Sequence, residues 1–271
     1  RAGMIANLRL CLVAVVLLVT TLVLLPVQLL AIAFRWRIAA FLPFLWQRVA
    51  RLVAGIRVHV VGTPVRERPL FLLSNHQSWS DITVLGSVLP LSFIAKSEVK
   101  SWPVFGWLAI LQRTVFVERA ARGATGRQTD AIASRLNAGD VMVLFAEGTT
   151  SDGNEVLPFK TALVGAAQAA LKDSDEDAVL VQPVAIAYTH ANGVPLGREG
   201  RPLCAWPGNV MLGPHLKRFL KEGAIDATVA FGEPIRVSAA SNRKIVARDC
   251  EAAVRRMLTA SLAGNRHAPI A

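Results

Sequence analysis

The chain has 271 residues, of which 53% are hydrophobic, and a formal net charge of +11. This length is sufficient for one sizeable α/β domain after a membrane segment is set aside. Three widely spaced cysteines, Cys11, Cys204 and Cys250, argue against a disulfide framework or a zinc site. The positive charge favours an anionic membrane or an acidic protein as partner, whereas a single tyrosine argues against a stacking surface for nucleic-acid bases.

An uncharged run of 25 residues occupies positions 10–34. As a helix it would be about 37 Å long, which is enough to cross the hydrocarbon core of a bilayer. A cleaved signal peptide and a buried soluble helix are the alternatives. A second apolar stretch, at 38–46, is too short to span a bilayer and is typical of an interfacial helix. We therefore predict a membrane anchor over residues 1–50, either a transmembrane helix or a re-entrant helical hairpin, and a main domain over residues 51–271.

The arginines around the apolar run are unevenly distributed. Four follow it before residue 52, and two precede it. By the positive-inside rule, the main domain is predicted to face the cytoplasm.

Beyond the anchor, short apolar runs alternate with helical patterns. The strands are predicted at 56–61, 70–74, 91–95, 114–117, 141–145, 179–188 and 229–231. The helices are predicted at 82–88, 127–136, 161–171 and 242–262, with Ser241 as the N-cap of the last. This alternation predicts an α/β sandwich, in which helices cover a central sheet.

The strongest chemical signal lies where the second predicted strand ends. This strand presents His76 at its exit, and Asp81 follows five residues later. If the chain turns between them, Asp81 accepts a hydrogen bond from one ring nitrogen of His76. The other nitrogen is then free to take a proton from a hydroxyl group. A structural histidine beside an N-capping aspartate is the alternative interpretation of this spacing.

Three later blocks add to this signal. Arg119 follows a β-rich run, which alone would indicate a surface arginine. A polar turn, Glu147-Gly148-Thr149-Thr150, follows the apolar run that ends at Ala146. Pro183 precedes Val184 inside an apolar run, which alone predicts an edge strand.

Taken together, the four blocks resemble those of the glycerolipid acyltransferase family, typified by lysophosphatidic acid acyltransferase. The resemblance extends over roughly residues 52–231. It implies an acyltransferase domain over residues 51–271, with His76 as general base and Asp81 as the residue that orients it. Transfer would be direct, from acyl carrier protein or coenzyme A thioester to a lipid hydroxyl, with no acyl-enzyme, no metal and no other cofactor. The acceptor-binding residues implied are Arg119, Glu147, Gly148, Thr149 and Thr150.

One departure from the family pattern bears on the acceptor. Thr150 stands where the family has an arginine, which suits a phosphate group. Residues 147–153 resemble the bacterial branch that acylates lyso-ornithine lipid, an acceptor without phosphate, and Asp152 is suited to its ammonium group. Lyso-ornithine lipid is therefore the favoured acceptor. Lysophosphatidic acid is the alternative, with Arg119 or Lys160 as the phosphate contact.

The resemblance also places the protein in its surroundings. It implies a bacterial inner membrane enzyme with its domain on the cytoplasmic side. Its expected partners are a membrane lipid acceptor, a thioester donor and an anionic membrane surface, and no nucleic acid. A metal-dependent hydrolase that uses His76, Asp81 and Glu147 as ligands, and a non-catalytic binding module, are the competing function classes.

Overall fold

A computed structural model describes residues 2–117, 125–161, 178–208, 210–238 and 240–264. Within these residues, nine strands form a single sheet with the order β1-β8-β6-β2-β5-β3-β4, and β7 and β9 pair with β6 off this path. The strands are β1 Ile56–Val61, β2 Leu70–Ser74, β3 Ser92–Lys96, β4 Val115–Val117, β5 Val141–Phe145, β6 Ala178–Ala191, β7 Val194–Pro195, β8 Ile225–Phe231 and β9 Ile235–Ser238. Strands β2 to β6 pair in parallel, as do β1 and β8, whereas β7, β8 and β9 run antiparallel to β6.

Helices cover both faces of this sheet, which confirms the predicted α/β sandwich. They are α1 Ala2–Ala33, α2 Ile38–Ala54, α3 Asp81–Gly86, α4 Phe105–Leu111, α5 Thr125–Asn137, α6 Leu212–Glu222 and α7 Arg243–Leu262. Helices α5 and α7 contribute to the core on one face, and α2, α3 and α6 contribute to the core on the other. Short 3-10 turns occur at Ser97–Ser101 and Arg201–Leu203.

Strand β2 is buried along its whole length. Because successive side chains of a strand point to opposite faces, Leu70 and Leu72 enter one core while Phe71 and Leu73 enter the other. This explains why its sequence is continuously apolar rather than alternating. The strand is therefore a rigid base for the polar residues that follow it.

Helices α1 and α2 form an antiparallel hairpin. Three hydrogen bonds link positions progressively closer in sequence: Arg9 to the Ala54 carbonyl at 2.9 Å, Trp46 to Thr21 at 2.9 Å, and Gln28 to the Ala39 carbonyl at 3.1 Å. The segment Met4–Ala33 is long and apolar enough to cross a membrane, and little of it is buried by the rest of the chain. The predicted boundary at residue 50 falls inside α2, which continues to Ala54.

Several sequence predictions differ from the structure in detail. The N-cap of α7 is Asn242 and not Ser241, because the Asn242 side chain accepts from the Lys244 N–H at 3.0 Å. Pro183 lies in central strand β6 rather than at an edge. Pro183 lies between the residues of β6 that pair with β9 and those that pair with β8. Because the ladder of hydrogen bonds is interrupted there, a residue without an N–H is tolerated. The predicted helix at 161–171 lies outside the described residues, except for Thr161.

Candidate active site

The site lies where β2 and β5 end. These two strands are parallel and adjacent, so the residues after Ser74 and after Phe145 emerge at the same edge of the sheet. Asn75 fastens the first of these segments to β6. Its side-chain amide donates to the Ile186 carbonyl at 2.9 Å, and its side-chain oxygen accepts from the Ile186 N–H at 2.8 Å.

His76 and Asp81 form a hydrogen-bonded pair. The distance from Nδ1 of His76 to Oδ2 of Asp81 is 2.8 Å. The same oxygen accepts from the backbone N–H groups of Gln77 at 2.7 Å and Ser78 at 2.9 Å, because the chain turns back on itself before α3. Asp81 is fully buried, so these donors replace water around its charge. The contact predicted from the five-residue spacing is present.

Tyr188 completes the surroundings of this carboxylate. Its hydroxyl donates to Oδ1 of Asp81 at 2.9 Å and lies 2.5 Å from the Ser80 hydroxyl. Burial, together with the nearby Asp81 charge, raises the pKa of Tyr188, so its hydroxyl keeps its proton. Tyr188 was not among the site residues predicted from the sequence. The available signal was a single tyrosine in a buried strand, since a buried phenol usually requires a polar partner.

The imidazole of His76 is held against an aromatic ring. It stacks on Phe145 with ring centroids 4.0 Å apart and an interplanar angle of 13°. Its side chain retains 20% exposure, and Nε2 has no hydrogen-bond partner among the described residues. The nitrogen opposite the carboxylate is therefore the one that a substrate can reach.

The loop after β5 holds the backbone of His76. Glu147 Oε1 accepts from the His76 N–H at 3.3 Å, and the Ser151 N–H donates to the His76 carbonyl at 2.8 Å. Glu147 is only 1% exposed, and its second oxygen is buried without a partner among the described residues. Burial raises the pKa of Glu147 to about 8; the His76 N–H opposes this rise and the Asp81 charge adds to it. Glu147 is therefore mostly neutral at pH 7, and it holds the backbone of His76 in place through its Oε1.

The other predicted acceptor-binding residues surround this loop. Thr149 is exposed, Thr150 is half-buried, and Gly148 adopts a left-handed backbone with φ 73°. Arg119 lies outside the described residues. The strand before it, β4, is at the sheet edge, with β3 and β5 between it and β2. Acceptor contact by these residues and by Glu147 stays a prediction.

Asp152 is exposed and directly follows Ser151, the residue whose N–H bonds to the His76 carbonyl. Both its oxygens accept from Asn154, at 2.9 Å from the backbone N–H and 2.9 Å from the side-chain amide. Partial burial works to raise the pKa of Asp152, but the hydrogen bonds from Asn154 and the nearby Arg198 charge outweigh it, so the pKa is lowered. The edge of the site thus carries a fixed negative charge.

Helix α6 supports the His76 loop from the side. The indole N–H of Trp79 donates to Nδ1 of His215 at 3.0 Å, and the Trp79 ring packs edge-on against Phe219 at 5.0 Å. Burial lowers the pKa of His215, which keeps its Nδ1 available as an acceptor. His215 therefore contributes to the support of this loop.

The arrangement does not resemble a metal-ligand cluster. His76 and Asp81 bond to each other through Nδ1, and Glu147 bonds to the backbone of His76 rather than pointing toward the same centre. Among the described residues, no group of three potential His, Cys, Asp or Glu ligands converges. What the geometry provides is a histidine oriented by a buried carboxylate, which suits proton transfer at Nε2.

Comparison with known proteins gives a consistent result. Residues 56–187 match the family described as Acyltransferase. The lyso-ornithine lipid O-acyltransferase of Brucella abortus is 54% identical over 96% of this chain and 98% of that protein. The lyso-ornithine lipid O-acyltransferase of Rhizobium meliloti is 48% identical over 94% of this chain and 88% of that protein.

Other relatives are more distant. A 1-acyl-sn-glycerol-3-phosphate acyltransferase of Neisseria gonorrhoeae is 37% identical over 54% of this chain and 57% of that protein. The crystal structure of the 1-acyl-sn-glycerophosphate acyltransferase from Thermotoga maritima has a similar fold, with a TM-score of 0.50 and 22% identity. That likeness covers 91% of this chain and 96% of the other.

Proposed function

This chain belongs to the acyltransferase family, and on that premise we propose that it acylates the free hydroxyl of lyso-ornithine lipid. The observation that carries the proposal is the His76–Asp81 pair, with Nδ1 bound to the buried carboxylate and Nε2 open to substrate. Asp81 fixes the tautomer in which Nε2 is the basic nitrogen. It also stabilises the positive charge that forms when the ring takes a proton.

The proposed reaction is direct transfer. Nε2 of His76 removes the hydroxyl proton while the lipid oxygen attacks the thioester carbonyl carbon. The C–S bond then breaks, and the imidazolium returns its proton to the sulfur, which leaves an ester and a free thiol. A thiol has a pKa of about 8.5, so its thiolate is a good leaving group. The proposed reaction requires no metal or other cofactor besides the thioester co-substrate, which is acyl carrier protein or coenzyme A.

Two residues of the loop support an acceptor without phosphate. Thr150 lacks the paired donors of a guanidinium, so it does not replace an arginine as a phosphate clamp. Asp152 places a negative charge near the His76 loop, where an ornithine ammonium would be attracted. The two lyso-ornithine lipid enzymes named above also align over nearly the whole chain.

The hairpin supports a position on the bacterial inner membrane. Arg9, near one end of α1, bonds to the Ala54 carbonyl, and Gln28, near the other end, bonds to the Leu111 carbonyl at 2.7 Å. Arg9 also lies beside Gly223, just after α6, so α1 contacts the rest of the chain near both ends, and we propose that the hairpin lies along one leaflet. By the positive-inside rule, the acyltransferase domain, residues 51–271, would face the cytoplasm.

The catalytic role is tested with the purified full chain, labelled acyl carrier protein and lyso-ornithine lipid. His76→Ala is expected to reduce kcat at least about a hundredfold, because it removes the general base. His59→Ala is the matched control, since His59 also lies beside a carboxylate, with 3.7 Å from its Nε2 to Asp226, but on a different part of the sheet. Equal activity of the two variants would refute the assignment of His76.

The acceptor is tested separately by competition. Wild-type protein is offered equal amounts of lyso-ornithine lipid and lysophosphatidic acid with one thioester donor. We expect the ornithine product to predominate, and Asp152→Asn to reduce that preference. Predominant acylation of lysophosphatidic acid would refute the acceptor proposal while leaving the acyltransferase chemistry in place. Repeating the assay with coenzyme A thioester identifies the donor.

A further inference from the structure

A group of large apolar side chains is exposed near the site. Val104 is 66% exposed, Trp107 71% and Met211 74%. Trp102, two residues before Val104, and Trp206, whose indole N–H donates to the Val210 carbonyl beside Met211, have their rings edge-to-face at 6.0 Å. We name these five residues the tryptophan rim. Exposed apolar side chains that are clustered rather than scattered mark an interaction surface.

The rim is continuous with the exposed surface of the anchor. Trp107 lies on α4, whose last carbonyl, that of Leu111, accepts from Gln28 of α1. Met211 immediately precedes α6, which also packs against α1. The rim and the lipid-facing side of α1 therefore belong to neighbouring elements.

The rim also adjoins the catalytic loop. The backbone N–H of Trp206 donates to the Gln77 carbonyl at 2.6 Å, and Gln77 follows His76 directly. The rim is therefore attached to the anchor on one side and to the loop that carries His76 on the other.

The rim has the composition of a membrane-interface contact. Tryptophan is enriched where a protein meets the headgroup layer, because its ring is apolar and its N–H is polar. Lys96 and Lys100 are exposed just before Trp102, with Glu98 exposed between them, and leave a net positive charge for anionic headgroups. Val104 adopts φ 64°, a conformation that a β-branched residue rarely adopts.

We propose that the tryptophan rim inserts into the bilayer interface as a second membrane contact beside the hairpin. This proposal rests on the proposed function, because it treats the acceptor as a membrane lipid. The occupant is a bilayer that contains anionic phospholipid. Its effect is to hold the partly exposed His76 side chain near the headgroups, so that the acceptor enters sideways from the leaflet.

The test uses the full chain on vesicles of phosphatidylethanolamine and phosphatidylglycerol in which part of the lipid carries brominated acyl chains. Bromine quenches tryptophan emission at short range. If Trp107 inserts, Trp107→Phe removes quenchable emission and lowers the quenched fraction. Trp79→Phe is the reference, since Trp79 is half-buried against His215 and Phe219 and its removal raises that fraction. A quenched fraction that rises or stays constant in Trp107→Phe overturns the proposal.

A kinetic measurement uses acceptor presented in the same vesicles. Val104→Ser combined with Met211→Ser is expected to raise KM at least about fivefold with kcat unchanged, because apolar burial in the bilayer is lost. Ile245→Ser is the matched control, since Ile245 is 47% exposed on α7, which covers the opposite face of the sheet. Equal KM values for the rim variant and this control overturn the proposal.

The outcomes separate the rim from the enzyme assignment. Quenching does not depend on acyl transfer, so an inactive wild type would refute the proposed function and leave the quenching result standing. If acyl carrier protein shields Trp107 from aqueous iodide while brominated lipid leaves it unquenched, the rim is a protein-docking surface and the membrane proposal fails. A wild-type dimer that dissociates in Trp107→Phe, with no quenching by lipid, also overturns the membrane proposal, because the rim would then be a contact between two copies of the chain.

Discussion

Replacing Asp81 with asparagine separates the charge of this residue from its hydrogen bonds. Oδ2 accepts from the His76 ring and from the Gln77 and Ser78 N–H groups, whereas Oδ1 faces the Tyr188 hydroxyl. In Asp81→Asn the amide oxygen takes the position with three donors. The amide NH₂ then faces Tyr188, whose oxygen is able to accept. We therefore expect a folded variant with the His76 tautomer preserved and the negative charge removed.

The size of the effect follows from the geometry. Opposite unit charges about 4 Å apart, at an effective dielectric constant of about 20, interact by about 4 kcal/mol. The imidazole carries only part of its full charge in the transition state, so we expect a loss of about 2–3 kcal/mol. This corresponds to a reduction in kcat of about 30- to 150-fold.

The assay is single-turnover transfer from labelled acyl carrier protein, with thermal unfolding measured in parallel. Asp226→Asn is the matched control, because Asp226 is another buried aspartate beside a histidine, His59, but lies on β8. We expect this control to retain its kcat. If Asp81→Asn keeps more than about a third of wild-type activity with an unchanged unfolding temperature, the charge is not used in catalysis, since the electrostatic argument requires a larger loss.

Three further predictions concern neighbouring residues. Tyr188→Phe removes one donor to Asp81 and is expected to lower kcat about tenfold, in line with one hydrogen bond to a charged group; an unchanged pH profile and rate would contradict this role. For Glu147, the folded-state pKa of about 8 lies above the ordinary 4.5, so the folded chain holds a proton that the unfolded chain has released. Its stabilising effect is present below pH 4.5 and is lost as the pH rises to about 8. Thermal unfolding should therefore record a decline of up to about 1.4 kcal/mol per pH unit across this window, and Glu147→Gln should flatten it; parallel curves would refute the protonated state. Thr150→Arg supplies paired donors and should shift kcat/KM toward lysophosphatidic acid, with Thr150→Lys as the control for charge alone; no shift in the competition assay would exclude this position as the phosphate contact.

The sequence predicted what depends on local order. Strands β1 and β2 have the predicted bounds, because each is an apolar run delimited by a glycine, a proline or a polar segment. The contact of His76 with Asp81 was also predictable, since both residues lie within one strand–loop–helix unit. The resemblance of the four blocks extended this to the acyltransferase family.

Contacts between distant segments were not predictable in the same way. Tyr188 reaches Asp81 only because β6 continues past the end of β2, which is a property of the sheet order. Pro183 indicated an edge strand, because the local sequence does not reveal that the strand paired with β6 changes there from β9 to β8. Helix α6 was missed because Gly213 and Pro214 interrupt its first turn, although His215 and Phe219 are spaced four residues apart on its buried face.

The stacking of His76 on Phe145 has a kinetic consequence. With one face of the ring covered and Nδ1 bound to Asp81, the imidazole is not free to rotate and exchange its two nitrogens. In the proposed reaction, Nε2 therefore both collects the proton and returns it. The lipid oxygen and the donor sulfur must then both be within reach of Nε2 while the two substrates are bound together. Double-reciprocal rate plots should accordingly intersect, since neither substrate completes its chemistry after the other has departed.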